Sequence, residues 1–251
     1  MYKKKNFTLR EQTRLAADVF RMVLIGDTSD IREPGQFVNI RIDGFYLRRP
    51  ISVCDWDAES LTLIYKVVGG GTAALRALSP GAKLELLTGL GNGFDTEAVK
   101  AGQSAAIVGG GVGVPPLYAL AKKLLAAGVR PVAVLGFNEA GQVFYQKEFE
   151  ALGVPVCLTT ADGSLGMKGF VTDALSGIPY DYYFACGPEP MLRALHRLSA
   201  QKGVSGQLSF EARMGCGFGA CMGCSCRTLT GYKRICVEGP VMRSEEVRFD
   251  G

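Results

Sequence analysis

Between Glu211 and Gly239 the chain reads EARMGCGFGACMGCSCRTLTGYKRICVEG and holds five of its eight cysteines. Four of these, Cys216, Cys221, Cys224 and Cys236, follow C-x4-C-x2-C with a distant fourth member, the thiolate spacing of a [2Fe–2S] cluster. Two irons need four converging sulfurs, so three come from one tight loop and the last from a returning segment. Gly215, Gly217, Gly219 and Gly223 suit that loop: without a Cβ, the chain takes positive φ and brings N–H groups up to anionic sulfur. Cys226 falls outside the set, because using it in place of Cys224 gives C-x4-C-x4-C, which is not a ligand spacing. Zinc and disulfide bonding compete with this reading. A four-cysteine zinc site ordinarily shows two C-x2-C knuckles where this run has one, and a disulfide framework belongs to short secreted chains.

A second chemical motif is IVGGGVGVPPLYAL, an apolar run entering a glycine-rich turn and then a helical pattern. Gly109, Gly110, Gly111 and Gly113 permit a sharp turn that would bring a pyrophosphate to the N-terminus of the following helix, where the helix dipole favours anions. The dinucleotide fingerprint is incomplete, since Val114, Pro115 and Pro116 stand where a third glycine is expected, and a purely structural turn is the competing reading. After the next apolar run comes Glu139, with no Arg or Lys before Lys147. A carboxylate there accepts from a ribose 2'-hydroxyl and repels a 2'-phosphate, which favours NAD over NADP.

A third lies nearer the start, in LRRPISVCD and LIYKVVGGGTAAL. Arg49 offers a forked, charge-assisted contact for a pyrophosphate, Ser52 a hydroxyl for a flavin ring nitrogen, and Gly71 and Thr72 open a helix as a second anion seat. The plainer alternative makes Arg49 a surface charge on a strand and Gly69 to Gly71 a flexible turn.

The elements that position these groups fall into three stretches. Residues 1–98 show short apolar–polar alternations between turn signals at Pro34-Gly35, Asp43-Gly44 and Pro80-Gly81. Strands are expected at Thr8–Leu15, Val19–Ile25, Phe37–Ile42, Leu47–Cys54, Leu61–Val68 and Lys83–Leu87, with one helix at Thr72–Leu78, giving a six-stranded antiparallel β-barrel. Residues 99–208 alternate apolar strands (Ala105–Val108, Val132–Phe137, Val156–Thr160, Tyr182–Ala185) with helices (Leu117–Ala127, Phe144–Leu152, Gly169–Leu175, Pro190–Lys202) and a last strand at Gln207–Phe210. That pattern predicts a doubly wound parallel α/β domain. Residues 209–251 form the cysteine segment. The fold class is therefore α/β plus all-β.

Composition removes other function classes. A net charge of +4 is too small and scattered for nucleic acid. The most apolar stretch is interrupted by glycines, two prolines and two lysines, so no membrane span is expected. Lys3-Lys4-Lys5 is not followed by a continuous apolar run, so a signal peptide is not expected and the cytoplasm is the expected location. The one histidine, His196, sits in an amphipathic pattern that places it on a solvated helix face, and no side-chain acid–base pair suggests itself.

Taken in order, a barrel carrying RRPIS and GT, an α/β domain carrying GGGVGVPP and ACGPEPML, and the run RMGCGFGACMGCSC resemble the ferredoxin-reductase superfamily. Within it, the chain is most similar, over its whole length, to the electron-transfer subunits of two-component, NAD-dependent dihydroorotate dehydrogenases. The resemblance implies FAD on the barrel, NAD on the α/β domain and the [2Fe–2S] cluster beside the flavin. It assigns Arg49, Pro50, Ile51 and Ser52 to the FAD ring and pyrophosphate, Ile64, Tyr65 and Lys66 to the ribityl side, and Gly71 and Thr72 to the phosphates. Gly109 to Gly113 with Cys186, Gly187 and Pro188 frame the nicotinamide, although Cys186 also reads as a buried strand-end thiol. The implied partner is the FMN-bearing dihydroorotate dehydrogenase catalytic subunit, in a heterotetramer with two copies of each chain. Electrons would run from dihydroorotate through the cluster and FAD to NAD, and Phe218, Met222, Tyr232 and Met242 are candidate partner contacts. Subunits of NADH-dependent ferredoxin:NADP oxidoreductases and of sulfide dehydrogenases have similar cysteine regions; a stand-alone NADH reductase and a zinc-stabilised nucleotide-binding module are the remaining alternatives.

Overall fold

The computed structural model describes residues 2–249. The first ninety residues close into a barrel of strands β1 (Lys3–Ala16), β2 (Val19–Ile25), β3 (Phe37–Ile40), β4 (Arg49–Trp56), β5 (Ser60–Lys66) and β6 (Lys83–Leu90). They are paired antiparallel in the order β1-β2-β5-β4-β3-β6, and a short helix α1 (Gly70–Arg76) follows β5. The strand β1 begins earlier than alternation predicts. Its lysine-rich start pairs with β6, and the charges are met by acids: Lys5 reaches Asp27 at 2.8 Å and Lys4 reaches Glu85 at 3.3 Å.

The second unit comprises β7 (Ser104–Gly110), α2 (Pro116–Ala126), β8 (Arg130–Phe137), α3 (Gln146–Ala151), β9 (Val156–Thr160), β10 (Met167–Lys168), α4 (Val171–Ser176), β11 (Tyr182–Cys186), α5 (Glu189–Gln201) and β12 (Gly206–Ser209). These strands pair in parallel in the order β10-β9-β8-β7-β11-β12, as the buried apolar runs predict. On β7, Ala105 and Ile107 join one core with Leu117 and Leu120 of α2, while Ala106 and Val108 join another with Leu175 of α4 and Leu195 of α5. The period-two alternation of a strand thus fills both faces of the sheet.

The cysteine segment carries a small hairpin, β13 (Ser225–Thr228) and β14 (Gly231–Arg234), and then β15 (Val241–Arg243), which pairs antiparallel with β12 as the seventh strand of the sheet. The sheet is therefore mixed at this edge, a feature that three residues of strand left invisible in the sequence. Met242 lies on β15 and is 4% exposed within the α4–α5 core, so it is not available to a partner. His196 is likewise not on a solvated face: it is half-buried, its Nε2 lies 3.1 Å from the Ser244 carbonyl, and its ring meets Phe249 at 5.5 Å.

Asn92, in the connection after β6, fixes the returning segment. Its Nδ2 donates to the carbonyls of Glu238 (3.1 Å) and Val241 (2.8 Å), its Oδ1 accepts from the Val241 N–H (3.0 Å), and its own N–H donates to Gly239 (2.7 Å). Replacing Asn92 with Ala leaves several backbone groups unpaired and should cost about 1–3 kcal/mol. A urea-unfolding midpoint unchanged from the parent would show that this clamp contributes nothing.

Candidate functional site

The strand order reverses between β7 and β11, and a crevice opens at the carboxyl ends of the parallel strands at that point. Here Gly110 to Val112, Phe137 and Asn138, Thr159 and Ala161, and Gly187 and Pro188 surround a cavity of about 570 Å³. Further walls come from the barrel (Ala16 to Val19, Lys66), from the start of α4 (Phe170 to Thr172), from Met191 and Ala194 of α5, and from Glu211. The size suits a nucleotide or part of a dinucleotide.

The glycines of the turn do two different things. A Cβ on Gly113 would lie 2.2 Å from the Cys186 carbonyl oxygen, and one on Gly110 would lie 2.6 Å from Met191 Sδ, so these two let the turn pack on the Cys186-Gly187-Pro188 loop. Gly109 makes the same kind of room for Val114. Gly111 alone has nothing near it and a φ of +52°, and it faces the cavity. The helix end offers less to an anion than the sequence suggests. Pro115 and Pro116 have no N–H, and the amides of Val114, Leu117 and Tyr118 are already bonded to carbonyls of the turn.

Cys186 is buried behind this wall, and burial pushes its thiol up to about 12, with the Glu211 carboxylate adding to the rise. Glu211 was not singled out from the sequence, because it lies in a loop with no periodicity. It lines the cavity, its side chain still exposed, and desolvation by the surrounding walls raises its pKa. Glu139 stands just outside the lining residues, exposed, with Oε1 accepting from Gln142 Nε2 at 3.3 Å; its neighbours Asn138 and Gln142 line the cavity.

On the barrel, alternation sorts the RPIS residues. Ile51 packs with Val53 and Tyr65 into the barrel interior, and the Tyr65 hydroxyl donates to Gln12 at 2.9 Å. Tyr65 is buried there and Ile51 half-buried. Pro50 and Ser52 lie opposite Asn39 and Phe37 of β3 and share their outward face. Ile64 packs in the core beneath α2, and Lys66 reaches the cavity. Arg49 crosses to α1, where a Cβ on Gly71 would lie 2.2 Å from its Nε, and its guanidinium sits 5.2 Å from the centre of the Phe45 ring. Arg49 and Gly71, 22 positions apart, therefore meet. Thr72 is committed locally: its hydroxyl accepts from the N–H groups of Val68 and Gly69 and donates to the Gly69 carbonyl. Beside Arg49 lies an apolar flank, Phe45, Tyr46, Leu47 and Val68, all exposed, whose signal in the sequence was an aromatic–aliphatic run within a turn.

In the third stretch all five cysteines are free; Cys224 and Cys236 are buried, Cys216 and Cys226 are half-buried and Cys221 is exposed. Backbone N–H groups of Phe218 (3.5 Å) and Cys221 (3.4 Å) point at Cys216 Sγ, and the Cys216 N–H points at Cys221 Sγ (3.4 Å). Burial alone would raise the Cys216 thiol, but these amides and the Cys221 thiol bring it down to about 6. Cys236 goes the other way, pushed up to about 12 by burial and by the adjacent Cys224 and Cys216 sulfurs. Backbone amides aimed at the sulfurs of Cys216 and Cys221 favour thiolates there, and thiolates with N–H donors suit a cationic centre that neutralises them. Among the described residues, no three Cys, His, Asp or Glu side chains group as ligands of a metal ion. Cys226 is half-buried on β13, its thiol raised by burial and by Cys224. Phe218, Met222 and Tyr232 are exposed around the loop, together with Leu229 and Val237.

Arg234 and Glu238 brace the loop: Arg234 Nη1 donates to the Gly219 carbonyl at 3.0 Å and its Nε to Glu238 Oε2 at 3.0 Å, while Glu238 Oε2 also accepts from the Arg234 N–H at 2.7 Å.

Comparison with known proteins agrees with this geometry. A solved structure of an NADH-dependent reduced ferredoxin-NADP oxidoreductase superposes with a TM-score of 0.87 at 31% identity, over 96% of this chain and 89% of that one. Barrel, crevice and cysteine segment define an oxidoreductase subunit of the ferredoxin-reductase-like class. Residues 211–248 match the family described as the iron-sulfur cluster binding domain of dihydroorotate dehydrogenase B. The electron transfer subunit of dihydroorotate dehydrogenase B (NAD(+)) from Geobacillus sp. (strain WCH70) is 43% identical over 98% of this chain and 99% of its own length. That from Bacillus velezensis is 42% identical with the same coverage. The chain belongs to the family of dihydroorotate dehydrogenase B electron transfer subunits.

Glu238 is held down to about 2, first by Arg234. A carboxylate with a depressed folded pKa stabilises the fold above its ordinary value of 4.5 and loses that contribution as pH falls toward about 2. Replacing Glu238 with Gln should lower the denaturation midpoint at pH 7 and make no difference at pH 2. The effect should be small, because the carboxylate is 37% exposed and water screens the pair. Parallel midpoint-versus-pH curves for the two proteins would refute the assignment.

Proposed function

We propose that this chain carries electrons between a dihydroorotate-oxidising, FMN-bearing subunit and NAD, with FAD on residues 1–98, NAD on 99–208 and a [2Fe–2S] cluster on 209–251. The observation that carries this reading is the packing of the cysteine segment on the barrel: Cys224 and Cys236 share a core with Phe37, which lies directly opposite Ser52 of the RPIS strand. A cluster ligand set and a flavin motif on one face of one strand pair are what short-range electron passage requires.

Arg49 and Gly71 would hold the FAD pyrophosphate, Pro50 and Ser52 its ring, and Phe45, Tyr46 and Val68 an apolar portion. Main-chain groups of Ile51, Ile64 and Tyr65 would line the same face, with Lys66 reaching toward the cavity and Thr72 shaping α1. Gly110 and Gly111 with Gly187 and Pro188 would receive the nicotinamide, Gly109, Gly113 and Cys186 keeping that wall closely packed. Glu139 would take the ribose hydroxyl. Cys216, Cys221, Cys224 and Cys236 would bind the irons, and the bare amides at Cys216 would stabilise its thiolate. Bound flavin supplies the exchange between a two-electron hydride donor and a one-electron carrier. The side chains' work is to bind, orient and exclude water; no proton-transferring side chain is needed. Phe218, Met222, Leu229, Tyr232 and Val237 form the surface offered to the catalytic subunit, in an assembly of two copies of each chain in the cytoplasm. No helix among the described residues is long and apolar enough to cross a membrane.

Purified protein should contain iron and flavin and absorb in the visible. Replacing Cys221 with Ser should remove the cluster absorbance, leave FAD in place and stop dihydroorotate-dependent NAD reduction in the assembled complex. Retained turnover by that variant would contradict the reading. The close structural likeness to a ferredoxin-NADP oxidoreductase favours, as second reading, the same cofactors serving a different partner subunit; failure to co-purify with a dihydroorotate dehydrogenase catalytic subunit would select it.

A further inference from the structure

Asn39 is the polar residue of β3 that faces outward, 1% exposed, between the RPIS strand and the cysteine loop. Its Nδ2 donates to the main-chain carbonyl of Cys216 at 3.1 Å. Its Oδ1 is buried and finds no hydrogen-bond partner. Leaving a buried acceptor unpaired costs free energy that an apolar side chain of the same size would not. Packing therefore does not account for an asparagine here, and its donor end does. The loop is fitted to it: Gly217 has a φ of +76°, and a Cβ at that position would lie 2.3 Å from Asn39 Nδ2. Asn39 is also directly opposite Pro50, the third residue of RRPIS, so its backbone belongs to the β3–β4 strand pair and its amide to the cysteine loop.

We propose that Asn39 is a positioning residue that ties the cluster loop to the flavin-binding strands through one side-chain amide, and so sets the placement of the cluster against the flavin. The inference rests on the function proposed above and adds to it a residue outside every motif. Asn39 acts by holding the peptide carbonyl of Cys216 against β3.

The test compares the parent with Asn39→Leu, which removes both ends of the amide at similar volume, and Asn39→Asp, which keeps the shape and replaces the donor with an acceptor facing the Cys216 carbonyl. Both variants should take up FAD, and NADH should reduce that flavin at the parental rate. Their reduced clusters should show shifted electron paramagnetic resonance signals and altered midpoint potentials, and cluster reduction through the flavin should slow on the order of tenfold, as misplacement of a reacting group implies. In the iron-free protein, amide hydrogens of residues 216–221 should exchange faster in both variants, a readout that does not depend on cluster loading. Parental spectra, potential and exchange in either folded variant would overturn the inference while leaving the cluster assignment intact. An iron-free parent after anaerobic reconstitution would instead remove the functional reading on which it stands.

Discussion

The pairing of β3 with β4 is the constraint on which the rest of the molecule depends. Because side chains alternate, these strands send Val38, Ile40, Ile51 and Val53 into the barrel and present Phe37, Asn39, Pro50 and Ser52 to the outside. A slip of β4 by one residue against β3 would turn Pro50 and Ser52 into the barrel and expose Ile51 and Val53. The hydrophobic core of the barrel thus fixes which side chains are turned outward, Phe37 and Asn39 among them toward the cysteine segment. The barrel's stability and the seating of the cysteine segment are determined by the same register, with no separate device for each.

A second joint sets the crevice against that face. Helix α2 lies along β4, with Lys122 reaching both carboxylate oxygens of Asp55 at 2.8 Å and Lys123 donating to the Arg32 carbonyl at 3.1 Å and pairing with Glu33. Beneath these surface pairs, Cys54, Val19 and Ile64 of the barrel share one core with Leu117, Leu120 and Phe149 of the α/β unit. The Cys54 thiol, pushed up to about 12 by its burial, acts as a small apolar filler against Tyr145. The ion pairs are exposed enough to contribute little, so the continuous apolar contact is what holds the two units as one body.

Much of this was legible in the chain. Turn pairs such as Pro80-Gly81, the alternation in β2 and β5, and the apolar runs of β7 and β8 carry strong local signals, and the cysteine spacing is specific in itself. What was hidden depends on contacts far apart in sequence. The three residues of β15 have no pattern of their own and become a strand only because β12 offers an unpaired edge. That pairing is also why Met242 is buried, while Met222, in a turn with φ of +57°, is not. The two prolines that read as an imperfect fingerprint turn out to remove the amides that a phosphate would use. Ile51 and Tyr65 could have been sorted from Pro50 and Ser52 by alternation alone, whereas Glu211 and Asn39 acquire meaning only when the barrel and the C-terminal segment come together.

The antiparallel strand at the sheet's edge makes the iron-binding segment inseparable from the nucleotide domain. A truncated chain ending before residue 211 would bare the hydrogen-bonding edge of β12 along with Leu208 and the adjoining apolar side chains, a template for edge-to-edge self-association. Shortened versions of this protein intended as simple nicotinamide-dependent flavin reductases would therefore need that edge covered or charged to stay in solution.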